Sequence, residues 1–217
     1  MRARRVYQGH QRPKSYDYNL IAIGAGSAGL VTTYIGAAVK AKVALIERHK
    51  MGGDCLNTGC VPSKALIRTA RLLADARRAA DFGVKALHAQ FDFTAAMERV
   101  QRVIAKVEPH DSVERYQGLG VDCINGDARL VDPWTVEVGG RRLTARSIVI
   151  ATGARPTVPK LPGIETVDYL TSDTVWNIRV QPKRLLVLGG GPIGCELGQC
   201  FARLGSQVTI VQRPSRL

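Results

Sequence analysis

Residues 18–47 read YNLIAIGAGSAGLVTTYIGAAVKAKVALIE, and this stretch decides the fold. The run from Tyr18 to Ile23 is short, apolar and rich in Ile and Leu, as a strand buried on both faces requires. Gly24 ends it. Ser27 to Val39 offers small and apolar residues for a helix, and Lys42 to Ile46 supplies a second buried strand that closes on Glu47. Strand, helix and strand within about 30 residues make a βαβ unit, whose strands are parallel and whose crossover is right-handed. Between the first strand and the helix lies Gly24-Ala25-Gly26-Ser27-Ala28-Gly29. A bare G-x-G-x-x-G arises by chance, but here a strand precedes it, a helix follows, and an acid ends the next strand. Gly24 allows the tight turn, Gly26 lets the backbone approach a pyrophosphate, and Gly29 lets the helix pack on the strand. The free N–H groups of the helix that opens at Ser27 and Ala28 would face the phosphates, and Glu47 could accept hydrogen bonds from a ribose.

The same grammar returns near the end of the chain. Leu185 to Leu188 is an apolar strand, Gly189-Gly190-Gly191-Pro192-Ile193-Gly194 a second glycine turn, Cys195 to Leu204 a helix, and Gln207 to Val211 another strand. Gly189, Gly191 and Gly194 take the parts of the three glycines in the first turn, so the chain offers two dinucleotide sites. The position matching Glu47 is Gln212, followed by Arg213. A carboxylate there would bind the 2′-hydroxyl of NAD and repel the extra phosphate of NADP; its absence, with Arg213 and Arg216 close by, favours NADPH. Arginines that are merely solvated would say nothing. The sequence ends at Leu217, one βαβ unit into a domain that needs several strands to cover its sheet, so it reads as a truncated protein or a fragment.

Between these units stands Gly52-Gly53-Asp54-Cys55-Leu56-Asn57-Thr58-Gly59-Cys60-Val61-Pro62-Ser63-Lys64. Two cysteines five apart close a disulfide ring only if the intervening chain is bent. A short ring beside a helix amino terminus and a lysine is reducible, because both favour the thiolate. Zinc sites also use paired cysteines, but this pair needs two more ligands, and no second pair or His cluster lies at suitable spacing. Cys195 and Cys200 repeat the C-x4-C spacing, yet on a regular helix they sit about 140° apart and read as ordinary helix cysteines. Cys123 reads as core, and His10, His49, His88 and His110 match no motif.

Composition limits the alternatives. Of 217 residues, 45% are hydrophobic, enough for a genuine core, and no run of about 18 apolar residues could span a bilayer. The first sixteen residues hold Arg2, Arg4, Arg5, Arg12 and Lys14 without an acid, but lack the apolar stretch of a secretory signal. With five unevenly spaced cysteines, a cytoplasmic protein is expected. The net charge of +13 would suit nucleic acid or a membrane surface. The basic residues are dispersed, however, without the interleaved aromatics of a strand-binding platform, so neither partner is expected. Helices are expected over Ser63 to Ala79 and Phe93 to Val107. An antiparallel meander over Val121 to Leu143 is marked by Asn125-Gly126, Asp132-Pro133 and Gly139-Gly140, and a buried strand over Ile148 to Ala151 follows. Arg155 to Pro182 carries four prolines and reads as a connector.

GGDCLNTGCVPSK, with GAGSAG upstream, IVIATGARP in the middle and LGGGPIGCE later, resembles the pyridine nucleotide–disulfide oxidoreductases from about Asp17 onward. CVPSK resembles the lipoamide and mercuric enzymes of that family more than its glutathione reductases. The resemblance implies an α/β fold: a Rossmann-like FAD-binding domain with a small antiparallel meander (17–155), then a connector (156–182), then the start of a second Rossmann-like NAD(P)-binding domain (183–217), all after a basic tail (1–16). It implies FAD and NAD(P)H as cofactors, a small disulfide or metal-ion acceptor, no resident metal, and a homodimer with an acid–base His in a carboxy-terminal domain. By resemblance Cys55 exchanges with substrate, Cys60 lies against the flavin, Lys64 stands beside the flavin N5 as a buried lysine paired with Glu196, and Ala151-Thr152-Gly153 returns to the FAD. Gly53 and Asp54 belong to the same cofactor segment, where the family usually has Thr in place of Asp54.

Overall fold

β1 (Tyr18–Ile23) sits at the centre of a parallel arrangement, and the computed structural model, which describes residues 9–85 and 87–213, shows why. After β1 come α1 (Ser27–Ala38), β2 (Val43–Glu47), α2 (Gly53–Asn57), α3 (Cys60–Arg77), α4 (Phe93–Val107), α5 (Val113–Gly118) and β3 (Val121–Asn125). β4 (Ala128–Asp132), β5 (Thr135–Val138), β6 (Arg141–Ile150), β7 (Arg184–Leu188), α6 (Pro192–Leu204) and β8 (Gln207–Val211) complete the order. The chain forms two compact units, one from the residues up to Cys55 with Val107–Ala154, the other from Leu56–Lys106 with the residues from Arg155 onward.

In the first unit a six-stranded sheet runs β3-β2-β1-β6-β5-β4. β1 pairs in parallel with β2 (Leu20 opposite Val43) and with β6 (Leu20 opposite Ser147), and β2 pairs in parallel with β3 (Val43 opposite Val121). Side chains alternate between two buried faces. Ala22, Val43, Leu45 and Val121 pack with Leu30 and Ala37 of α1 and Tyr116 of α5. Ile21, Ile23, Ala44 and Ile46 face the other way, onto Val136, Val138 and Ala145. A strand covered on both sides reads as an unbroken apolar run, which is what 18–23 and 43–46 show. The order β3-β2-β1-β6 is that of a doubly wound, Rossmann-like sheet.

Three expectations need correction. Val121–Asn125 is not part of the meander: it is a parallel strand of the main sheet, and Asn125-Gly126 marks where the chain leaves that sheet, with the Gly126 N–H donating to the Glu47 carbonyl at 2.9 Å. The meander is β4-β5-β6, and β6 is one ten-residue strand that starts antiparallel to β5 and ends parallel to β1. The expected buried run at 148–151 is only half-buried, and Ile150 is 65% exposed.

In the second unit α3, α4 and α6 share a core of Leu66, Ala70, Leu73, Phe93, Met97, Val100, Phe201 and Leu204. The positions on α3 and α4 recur at helical spacing, one stripe on each. α3 begins at Cys60, three residues before the expected start, so Cys60 lies in its first turn. The parallel pair β7-β8 (Leu185 opposite Val208) turns one face to α6. Residues 155–182 are more than a connector, because Val175 and Trp176, in a short 3-10 turn, are buried in this core. Arg2, Arg4, Arg5 and Arg216 lie outside the described residues.

Candidate cofactor and redox site

The chain leaves β1 at Gly24, whose φ is 103° and whose N–H donates to the Ile46 carbonyl at 2.8 Å. A Cβ on Gly24 would lie 2.3 Å from the Ala151 carbonyl oxygen, so the glycine turn and the Ala151-Thr152-Gly153 loop meet backbone to backbone. A Cβ on Gly29 would lie 1.8 Å from the Gly24 oxygen, and one on Gly53 would lie 2.6 Å from the Gly26 Cα. Gly26 is different. Its φ and ψ are −79° and −173°, open to any residue, and its Cβ would meet only the Gly53 Cα, at 3.8 Å. Packing within the protein does not demand glycine there. What a Cβ would fill is the space in front of the first amides of α1, which has no side-chain cap and no acid in its first turn. An uncapped helix amino end beside an open glycine backbone fits a pyrophosphate.

Glu47 ends β2 beside this turn. Its Oε2 accepts the Ala25 N–H at 2.7 Å, and its Oε1 accepts those of Arg48 and His49 at 2.9 and 2.8 Å. The carboxylate therefore ties the glycine turn to the end of β2. Oε1 has both lone pairs engaged, and Oε2 keeps one that a ribose hydroxyl could use. Asp54 lies in the first turn of α2, one residue before Cys55.

The second turn reproduces the first. Gly189 has φ 109° and donates to the Val211 carbonyl at 2.8 Å; Gly191 caps α6 with φ −72° and ψ 174°; a Cβ on Gly194 would lie 2.2 Å from the Gly189 oxygen. Gly191 again has open space where its Cβ would be. The equivalent bonds Gly24 to Ile46 and Gly189 to Val211 place Gln212 where the first unit has Glu47, with Arg213 exposed beside it.

Cys55 is half-buried on α2 and Cys60 exposed at the start of α3; both are in the thiol form. One turn beyond Cys60, Lys64 Nζ donates to Glu196 Oε2 at 2.8 Å, in the second turn of α6. Their side chains are 62% and 48% exposed, so Lys64 is not the buried lysine expected, and a pair of this kind contributes only about 0–1 kcal/mol. Trp176, which carried no role in the sequence reading, donates its indole N–H to the carbonyls of Thr58 and Ser172, each at 2.7 Å. The sequence clue was a lone Trp inside a proline-rich stretch. The other cysteines behave as helix and strand residues: Cys195 Sγ donates to the Gly190 carbonyl at 3.3 Å, burial pushes the Cys200 thiol up to about 12, and burial also raises Cys123. Cys123 is half-buried in β3, not fully in the core. Among the described residues no group of three or more His, Cys, Asp or Glu could hold a metal ion, and no helix is long and apolar enough to cross a membrane.

A family model described as pyridine nucleotide-disulphide oxidoreductase matches residues 18–217. The chain belongs to that family. Its members are FAD-dependent oxidoreductases that take electrons from NAD(P)H. The mercuric reductase of Bacillus cereus is 39% identical over 203 residues, which cover 94% of this chain and 32% of that protein. The glutathione reductase of Nostoc sp. is 36% identical over 203 residues, covering 94% of this chain and 44% of that protein. Among solved structures, the Cu(II) complex of the HOCl-induced flavoprotein disulfide reductase RclA of Escherichia coli matches with a TM-score of 0.75 at 30% identity, over 91% of this chain and 42% of that one. The chain thus spans less than half the length of these relatives.

Proposed function

We propose that this chain provides the flavin- and nucleotide-binding part of an oxidoreductase that reduces a Cys55–Cys60 disulfide and passes the electrons to a small disulfide or metal-ion acceptor. The observation that carries the proposal is the clustering on the second unit of Cys60 at a helix amino terminus, Lys64 one turn on, and Glu196 holding Lys64 from the helix that follows the second glycine turn. A helix amino terminus favours an ionised sulfur.

Gly24, Gly26 and Gly29, with Glu47, Gly53, Asp54 and Ala151 to Gly153, would hold FAD, which when bound supplies the two-electron link between nicotinamide and disulfide. Gly189, Gly191 and Gly194 would hold the nicotinamide dinucleotide, and Gln212 with Arg213 supports NADPH over NADH. Reduction of the disulfide takes two electrons and two protons. With a disulfide acceptor, the Cys55 thiolate attacks one acceptor sulfur and expels the first thiol; Cys60 then attacks Cys55 Sγ in the mixed disulfide, expels the second thiol and restores the ring. Exposure alone would give the exchanging role to Cys60, the more exposed residue. The assignment to Cys55 supposes that the flavin covers Cys60. The relatives' names span a metal ion and a disulfide at 39% and 36% identity, a difference too small to choose between acceptors.

The test is the spectrum and thiol count of the purified protein. FAD should be bound, with absorbance near about 450 nm; dithiothreitol should raise the thiol count by two, and NADPH should bind more tightly than NADH. Colourless protein that takes up no FAD, or a count that dithiothreitol leaves unchanged, would remove the proposal. Tighter NADH would reverse the nucleotide choice alone.

A further inference from the structure

We propose that Trp176 is a positioning residue for the cysteine pair, holding the bend of the intervening chain through the carbonyl of Thr58; this rests on the redox reading of Cys55 and Cys60. Thr58 lies two residues before Cys60, inside the four-residue span that must fold back for the ring to close. The indole N–H reaches its carbonyl at 2.7 Å and that of Ser172 at the same distance, one donor shared between two acceptors. The anchor itself is fixed. Trp176 is 3% exposed and packs in the α3-α4-α6 core, and its own carbonyl accepts from Gln101 Nε2 at 3.2 Å and Arg179 Nη1 at 3.3 Å.

On the other side of the bend, Gly59 adopts φ −117° and ψ −107°, its carbonyl accepts the Ser63 N–H at 3.0 Å, and Ser63 Oγ donates to the Cys60 carbonyl at 3.1 Å. The bend is therefore gripped at Thr58 from the core and at Gly59 and Cys60 from the first turn of α3. A stretch held in its bend loses less chain entropy when the disulfide closes, which raises the effective concentration of one sulfur at the other. Without the donor, Thr58 is released and that concentration falls. A neutral hydrogen bond contributes about 0.5–1.5 kcal/mol net, so the equilibrium constant for ring closure should fall by up to about tenfold, a shift of about 30 mV toward easier reduction.

The experiment replaces Trp176 in the full 217-residue chain by benzothienylalanine, which swaps the N–H for sulfur and keeps the ring shape, with Trp176→Phe as the genetic counterpart. The cysteine pair is equilibrated in glutathione buffers, where two glutathione thiols reduce one protein disulfide and become one glutathione disulfide. It is then read by thiol labelling, with thermal melting as the measure of core packing. The proposal expects the benzothienyl protein to melt within about 2–4 °C of its parent while its potential becomes less negative, by up to about tenfold in the equilibrium constant. A potential that does not move, or becomes more negative, in a protein that melts within those few degrees overturns it. If the parent shows no reducible Cys55–Cys60 disulfide, the redox reading itself fails and takes this proposal with it; a normal parent with an unmoved variant removes only the role of Trp176.

Discussion

Gly26→Ala and Gly29→Ala separate a glycine kept for a ligand from a glycine kept for the fold. At Gly26 the new methyl would lie 3.8 Å from the Gly53 Cα, with a φ of −79° that alanine accepts. Alanine restricts the unfolded chain, adding about 0.4–1 kcal/mol of stability. It is a poorer helix cap than glycine by about 0.5–1 kcal/mol. These terms nearly cancel, so the flavin-free protein should melt within about 2–4 °C of its parent. At Gly29 the methyl would sit 1.8 Å from the Gly24 oxygen, a backbone atom that can retreat only by distorting the turn. Forced overpacking costs about 1–3 kcal/mol, and melting should fall by several degrees. For FAD the order reverses in its cause. The Gly26 methyl stands where the pyrophosphate would meet the first amides of α1, and losing one charge-assisted hydrogen bond, about 1.5–3 kcal/mol, weakens binding about 10- to 100-fold. Flavin titration of the stripped protein, followed by fluorescence, measures that loss beside the melting curve. A Gly26→Ala protein that binds FAD within twofold of its parent would refute the pyrophosphate assignment, and one that melts like Gly29→Ala would refute the packing argument.

Two other outcomes follow from the titratable groups. At pH 8, after reduction, iodoacetamide should label Cys55 and Cys60 while sparing Cys200 and Cys123, whose thiols burial holds above their ordinary value; mass spectrometry that finds Cys200 labelled in folded protein would contradict that burial. Burial first, then the hydrogen bond to Asp122 Oδ2 at 2.6 Å, raises Tyr18 from 10.0 to about 12. A group raised on folding keeps its stabilisation below its unfolded value and loses it as pH climbs through the folded one. Urea unfolding should therefore show stability falling between about pH 10 and 12, with a shallower fall in Tyr18→Phe; equal slopes would place the alkaline loss elsewhere.

Local signals carried most of the fold. The two βαβ units were legible because strand, glycine turn, helix and strand lie within one short window each, and the turn glycines obey steric limits that repeat at Gly24 and Gly189. Val121–Asn125 was misplaced because its partner β2 lies far back in the chain, and Asn125-Gly126 reads the same whether it closes a hairpin or releases a chain from a parallel sheet. β6 defeated a local reading for a related reason: its two halves pair in opposite senses, and no periodicity marks the change. Four prolines made 155–182 look like a linker, but proline forbids regular hydrogen bonding without forbidding burial.

The site divides in the same way. The glycine turns were readable as turns since their spacing fixes the backbone path, whereas contacts between distant positions were not. Lys64 and Glu196 stand 132 residues apart and were matched through resemblance alone; their meeting at 2.8 Å is a fact of packing, and their exposure shows that desolvation does not force it. Glu47 was read as a ribose acceptor, and nothing in the sequence could reveal that three backbone amides already engage it. Trp176 marks the limit of sequence reading. A buried indole must place its one N–H, and burial of a tryptophan can be guessed from composition, but which carbonyl receives the proton depends on the path of the backbone 118 residues earlier. That the receiver is Thr58, between Cys55 and Cys60, makes an ordinary requirement of burial a hold on the stretch between the two cysteines.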